Sequence, residues 1–168
     1  MSILDLPLIA RTRRNHGLEH ATVHILSERH PGIGVMGRST PNCFYIYGDL
    51  TAEQVQSAAA EALARLRAGE SHLTIHPGCG TNLVASGSMA GVAAFTAMNV
   101  GRRRDRDRWE ALPAAVAAAT VALLLAQPLG PLLQERVTTS ADMGALEILG
   151  VWRVNNSGLP VHRVDTRS

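Results

Sequence analysis

The spacing of apolar and polar positions changes period several times along the chain. Between residues 8 and 29, Leu18, Ala21, Thr22 and Ile25 recur at helical spacing, and Pro31-Gly32 stops the run. This pattern predicts a first helix. Residues 33–36 read as a short strand, and Gly37-Arg38-Ser39-Thr40-Pro41-Asn42 as a turn by composition. Cys43-Phe44-Tyr45-Ile46-Tyr47 is rich in aromatic and β-branched residues and predicts the best strand in the chain. Thr51 and Gln54 form a capping-box pattern. A second helix follows through Val55, Ala59, Leu63 and Leu66 and stops at Gly69. Residues 72–76 read as a third strand, ended by Pro77-Gly78. Residues 146–154 and 159–165 read as two last strands around the turn Asn155-Asn156-Ser157-Gly158.

A different pattern fills the middle. Residues 71–101 and 111–134 contain no Asp, Glu, Lys or Arg, and between them lies Arg102-Arg103-Arg104-Asp105-Arg106-Asp107-Arg108. Two uncharged stretches of bilayer-spanning length joined by a basic loop predict a transmembrane helical hairpin. Its cores would be residues 82–100 and 111–133. Gly87, Ala90, Gly91 and Ala94 give the first helix a small-residue spacing suited to close packing in lipid. A buried hairpin in a soluble protein is the competing reading. The positive-inside rule puts Arg102–Arg108 in the cytoplasm, and a membrane hairpin makes lipid a partner. The organisation expected is an α-β-β-α-β portion over residues 1–80, the hairpin over 81–135, and a C-terminal β-hairpin over 136–168 that joins the first portion. The fold class is α+β: a small mixed sheet with two helices plus the inserted hairpin.

Composition narrows the function classes. The 16 positive residues are all arginine and face 14 acids, so charge makes no case for nucleic acid. Aromatic residues are only 4% of the chain, too few for base stacking. Two cysteines, Cys43 and Cys79, do not make a disulfide framework. No Gly-x-Ser-x-Gly nucleophile motif and no strand-linked glycine-rich nucleotide loop occurs.

The chemistry concentrates in the first helix. His16, Glu19, His20 and His24 follow i, i+3, i+4, i+8 spacing and share one helix face. Two histidines at i, i+4 suit one zinc ion, and a carboxylate beside them suits a general base. His16 and His20 are therefore candidate ligands and Glu19 the candidate base. His24 is less suited, because three ligands over two turns of one straight helix diverge. His76 and Cys79, in a His-x-x-Cys arrangement, offer an imidazole and a thiolate to complete the set. Asp142 is a more distant candidate. Arg11, Arg13 and Arg14 read as a phosphate-contacting cluster at the membrane interface.

His16-Gly17-Leu18-Glu19-His20 resembles the inverted zinc motif of the inverzincin peptidases. That resemblance implies His16 and His20 as zinc ligands and Glu19 as base. The acidic third ligand of that family has no counterpart in the uncharged stretch after Ser71. Over residues 15–26, 37–42, 76–82 and 127–131 the chain also resembles a family of small bacterial membrane proteins of unknown function, which implies a membrane location but no activity. The expectation is a small integral membrane protein with a zinc site, acting as a metal-dependent, peptidase-like hydrolase on a protein or peptide. The rival classes are a non-catalytic structural or assembly subunit and, less directly, a haem-ligating redox protein.

Overall fold

The computed structural model describes residues 2–100, 109–154 and 158–168. The expected loop Arg102–Arg108 and most of the turn at 155–158 lie outside the described residues. The chain divides into two compact units, Met1–His76 with Gln134–Ser168, and Pro77–Leu133.

The first unit is built on a four-stranded sheet: β1 (Met36–Ser39), β2 (Cys43–Tyr47), β3 (Glu147–Arg153) and β4 (Val161–Arg167), in the order β1-β2-β4-β3. Every pairing is antiparallel, so the sheet is not mixed as the sequence suggested. Two helices pack on it, α1 (Pro7–Arg29) over β1 and β2 and α2 (Ala52–Arg67) mainly over β3. Their contact encloses a core of Leu18, Ile25 and Leu26 from α1, Val55, Ala59 and Leu66 from α2, and Phe44, Ile46 and Val164 from the sheet. The expected capping box at α2 is present: the Thr51 hydroxyl accepts from Gln54 N–H, and the Gln54 side chain accepts from Thr51 N–H. Gly69, with φ of 98°, ends the segment in a conformation that favours glycine.

Two boundaries differ from the sequence reading. β1 starts at Met36 rather than at residue 33, and it takes in Gly37, Arg38 and Ser39, which composition assigned to a turn. Turn chemistry is needed only at Pro41-Asn42, because Thr40 N–H already donates to the Cys43 carbonyl at 2.8 Å. The expected strand at 72–76 is instead a 3₁₀ turn, Ser71–Thr74. Local bonds from Leu73 N–H to Glu70 and from Ile75 N–H to His72 close it. The carbonyls of Thr74 and Ile75 turn instead to histidines of α1.

Asn15, buried in α1, fixes the helix on the sheet. Its amide donates to the Thr40 carbonyl at 2.8 Å, and its oxygen accepts from the Thr166 hydroxyl of β4 at 2.8 Å. The three arginines beside it act as tethers within this unit. Arg11 reaches Asn42, Arg13 donates to the Arg136 carbonyl, and Arg14 donates to the Asp142 carbonyl.

His162 of β4 is fully buried, and among the described residues its Nδ1 has no hydrogen-bond partner. Burial pushes its pKa down, Arg153 adds to that effect, and Glu53 partly opposes it. A histidine whose folded pKa lies below its unfolded value of about 6.5 leaves the unfolded chain binding more protons as the medium acidifies. Stability is therefore expected to be full above pH 6.5 and to fall as pH drops below it. Denaturant titrations at pH 7.5 and 5.5 check this, and His162→Leu should lessen the fall. An equal fall in that variant would clear His162 of the role.

The second unit contains α3 (Gly80–Asn99), α4 (Leu112–Ala126) and the short α5 (Leu129–Leu133), with α3 packed on both others. A π turn, Gln134–Thr138, follows in the chain and belongs to the first unit. The sequence suggested two continuous spans. Instead, no single helix among the described residues is long and apolar enough to cross a membrane. The second span breaks at Gln127-Pro128, and the pair Leu112–Ala126 and Leu129–Thr138 is bent by 52°. Proline lacks the N–H that would continue the helical ladder and crowds the preceding turn, which accounts for the break. As a bent pair these segments pass the length and composition test together.

Candidate metal centre

The helix face that the sequence singled out is buried. Glu19 and His20 are 4% and 3% exposed, so this face meets a second layer rather than solvent. Gly17 lets that layer approach: a Cβ there would collide with the Ser140 carbonyl and lie 3.1 Å from Thr74 Cγ2. The 3₁₀ turn and the π turn come close to α1 and supply its polar partners.

Those partners set the histidine tautomers. His16 Nδ1 lies 2.9 Å from the Thr138 carbonyl, and His20 Nδ1 lies 2.6 Å from the Thr74 carbonyl. A carbonyl can only accept, so both Nδ1 atoms carry a proton, and in the neutral ring the lone pair is then on Nε2. Metal-binding histidines are characteristically oriented by such outer bonds to backbone carbonyls. The two rings meet edge to face with centroids 4.3 Å apart, and each offers a ring nitrogen within 4.8 Å of the other. Two nitrogens on one tetrahedral zinc stand about 3.4 Å apart, given bonds of about 2.0–2.1 Å, a spacing of the same order.

Glu19 completes this group. Its Oε2 lies 4.0 Å from His16 Nε2. Its carboxylate packs against Gly37 of β1, where an added Cβ would come within 2.7 Å of Glu19 Cγ. Gly37 is thus the residue over the carboxylate, a relation that composition concealed by assigning it to a turn.

His76 stands between two histidines of α1, with ring centroids 5.7 Å from His20 and 4.9 Å from His24. Burial, with His24 and His20 nearby, pushes its pKa down to about 4, so it is neutral at pH 7 with a lone pair to offer. Its N–H donates to Oε1 of Gln134, a fully buried residue of the π turn. His24 is arranged the opposite way from His16 and His20. Its Nε2 donates to the Ile75 carbonyl at 2.8 Å, so its lone pair is on Nδ1. Asp142 is highly exposed and faces Arg14 and the Gly144 N–H, which removes it as a ligand candidate. Cys79 belongs to the second unit, where it caps α3 and its sulfur accepts from Thr81 N–H at 3.5 Å. Cys43 is a buried free thiol in β2.

Sequence reasoning missed the outer partners Thr74, Ile75, Thr138 and Gln134. Three of these bond through a backbone carbonyl, which leaves no residue-type signal.

An antiparallel sheet carrying a helix with a converging His-Glu-His face defines the class: an α+β protein with a candidate metal centre. The chain belongs to the family described as Domain of unknown function (DUF6391), which matches residues 11–151. It is 34% identical over 169 residues to an uncharacterised protein of Picosynechococcus sp., covering 92% of this chain and 78% of that one. No solved structure matches.

Proposed function

We propose that this protein is a membrane-embedded, metal-dependent hydrolase of peptide bonds. The observation that carries the reading is the pair of Nδ1–H bonds from His16 and His20 to backbone carbonyls, which leaves both Nε2 atoms available, with His16 Nε2 4.0 Å from the Glu19 carboxylate. The proposed donors are the His16 and His20 imidazoles, which suit zinc, with His76 of the same unit, its ring centroid 5.7 Å from that of His20, as the third.

When bound, zinc supplies Lewis acidity to water and to a scissile carbonyl. Glu19 takes a proton from the attacking water and passes it to the leaving nitrogen as the C–N bond breaks, yielding a carboxylic acid and an amine. The Thr138 and Thr74 carbonyls hold the two imidazoles in the required tautomer throughout.

The membrane reading rests on the second unit. α3 has no buried residue, and Leu83, Val84, Val92 and Phe95 are each more than 60% exposed. Leu124 and Leu125 of α4 are exposed to a similar degree. Lipid is the partner that matches helices α3 and α4, which carry no Asp, Glu, Lys or Arg and expose such a surface. Arg102–Arg108 would then stay on the cytoplasmic side of the inner membrane.

Elemental analysis of the full chain, extracted from the membrane fraction with detergent, tests the proposal. About one zinc per chain is expected. The His16→Ala/His20→Ala variant is expected to lose it while keeping its helical circular dichroism. A folded, reduced wild type without metal would overturn the hydrolase reading and leave a membrane subunit with a polar histidine face.

A further inference from the structure

The sheet has one regular, unpaired edge, and it lies at Glu19. β1 is the terminal strand and pairs only with β2. The bonding pattern along β2 shows which way the β1 backbone points. Thr40 N–H donates to Cys43, so Thr40 and Cys43 form a hydrogen-bonded pair. In an antiparallel ladder such pairs alternate. Arg38 with Tyr45 and Met36 with Tyr47 are therefore the next bonded pairs. The other side of β2 agrees: Thr166 N–H donates to Asn42 and Gly48 N–H donates to Pro160, so its even-numbered residues face β4. The N–H and C=O groups of Gly37 and Ser39 consequently point away from β2, along the outer edge. Among the described residues, no backbone group pairs with them.

The opposite edge is protected differently. β3 carries an irregularity between Ile148 and Gly150, a common device against edge pairing, and it lies across the sheet from Glu19. β1 has no such break, and at its second residue Gly37 is in contact with the Glu19 carboxylate. The outward-pointing Gly37 is thus also the residue over the candidate base.

We propose that the outer edge of β1 binds an extended peptide segment as an added strand, through the backbone groups of Gly37 and Ser39. This inference rests on the metal-dependent peptidase reading and specifies its substrate as unfolded or extended polypeptide rather than a small amide. Recognition is through the peptide backbone, so it tolerates varied side chains. The added strand lies about 4.8 Å beyond Gly37, the residue that packs against Glu19.

The test uses the zinc-loaded full chain in detergent and two hydroxamates, which grip a metal regardless of side-chain preference. Acetohydroxamate probes the metal alone. Acetyl-tetra-alanine hydroxamate adds a strand the length of β1. Two backbone hydrogen bonds are expected to make the peptide bind about tenfold tighter than acetohydroxamate. Ser39→Pro removes an outward N–H at an edge position where proline is tolerated, and it is expected to abolish that gain with zinc content unchanged. N-methylating the backbone amides of the peptide should abolish the gain with the wild-type protein, which keeps the test independent of how the variant folds. Acetohydroxamate binding with no peptide gain, or a gain that survives N-methylation, overturns strand addition alone. Failure of both compounds to bind overturns the metal centre, and strand addition with it.

Discussion

Glu19→Gln is expected to lower peptide hydrolysis by about 10²- to 10⁴-fold while leaving zinc bound, the range typical for loss of a general base. Glutamine keeps the length and planarity of the side chain, so it fills the same space against Gly37. What it loses is the ability to accept a proton. The proposed ligands are imidazole nitrogens, and Glu19 stands beside them rather than among them, 4.0 Å from His16 Nε2. Parallel measurement of turnover and metal content separates the two roles. Zinc lost along with activity would make Glu19 a ligand; turnover at the wild-type level would remove it from the chemistry.

Gly37→Ala is the second large effect expected, a fall in turnover of about 10²-fold with zinc and fold retained. Gly37 does not have a positive φ, so alanine is not strained there by the backbone. The added methyl instead meets Glu19, within 2.7 Å of its Cγ. The carboxylate is the flexible end of that contact and gives way before the strand does. A displacement of about 1 Å at a reacting group is enough to cost about two orders of magnitude in rate. His16 and His20 are held by other groups, the Thr138 and Thr74 carbonyls, so the proposed ligands are expected to stay in place. Turnover and thermal unfolding of the variant check this. An unchanged rate would show that Gly37 does not position the base; a rate loss matched by a large loss of stability would make the contact structural.

Some of this protein could be read directly from its residues. The apolar stripe of α1, the capping box at Thr51, the aromatic strand β2 and the glycine stop at Gly69 all rest on local spacing or local backbone preference. Each formed as the pattern required. The His16-Glu19-His20 constellation was legible for the same reason, since helix geometry alone puts i, i+3 and i+4 on one face. The uncharged run after residue 111 was legible as a helical segment, and Pro128, equally visible, explains why it is not continuous.

Other features depended on contacts between distant parts of the chain. Residues 72–76 alternate like a strand, yet their carbonyls bond to α1 and the segment turns. Gly37 looks like a turn residue until it is seen packed against a side chain 18 positions earlier. The tautomers of His16 and His20, and the opposite one of His24, are set by carbonyls of Thr138, Thr74 and Ile75, whose side-chain identity is irrelevant to the bond. The sequence by itself determined which residues could bind a metal and which helix presents them, because both follow from residue chemistry and helical period. Only the tertiary structure decided which nitrogens face inward, what lies over the base and which sheet edge adjoins it, because these depend on backbone groups that every residue carries alike.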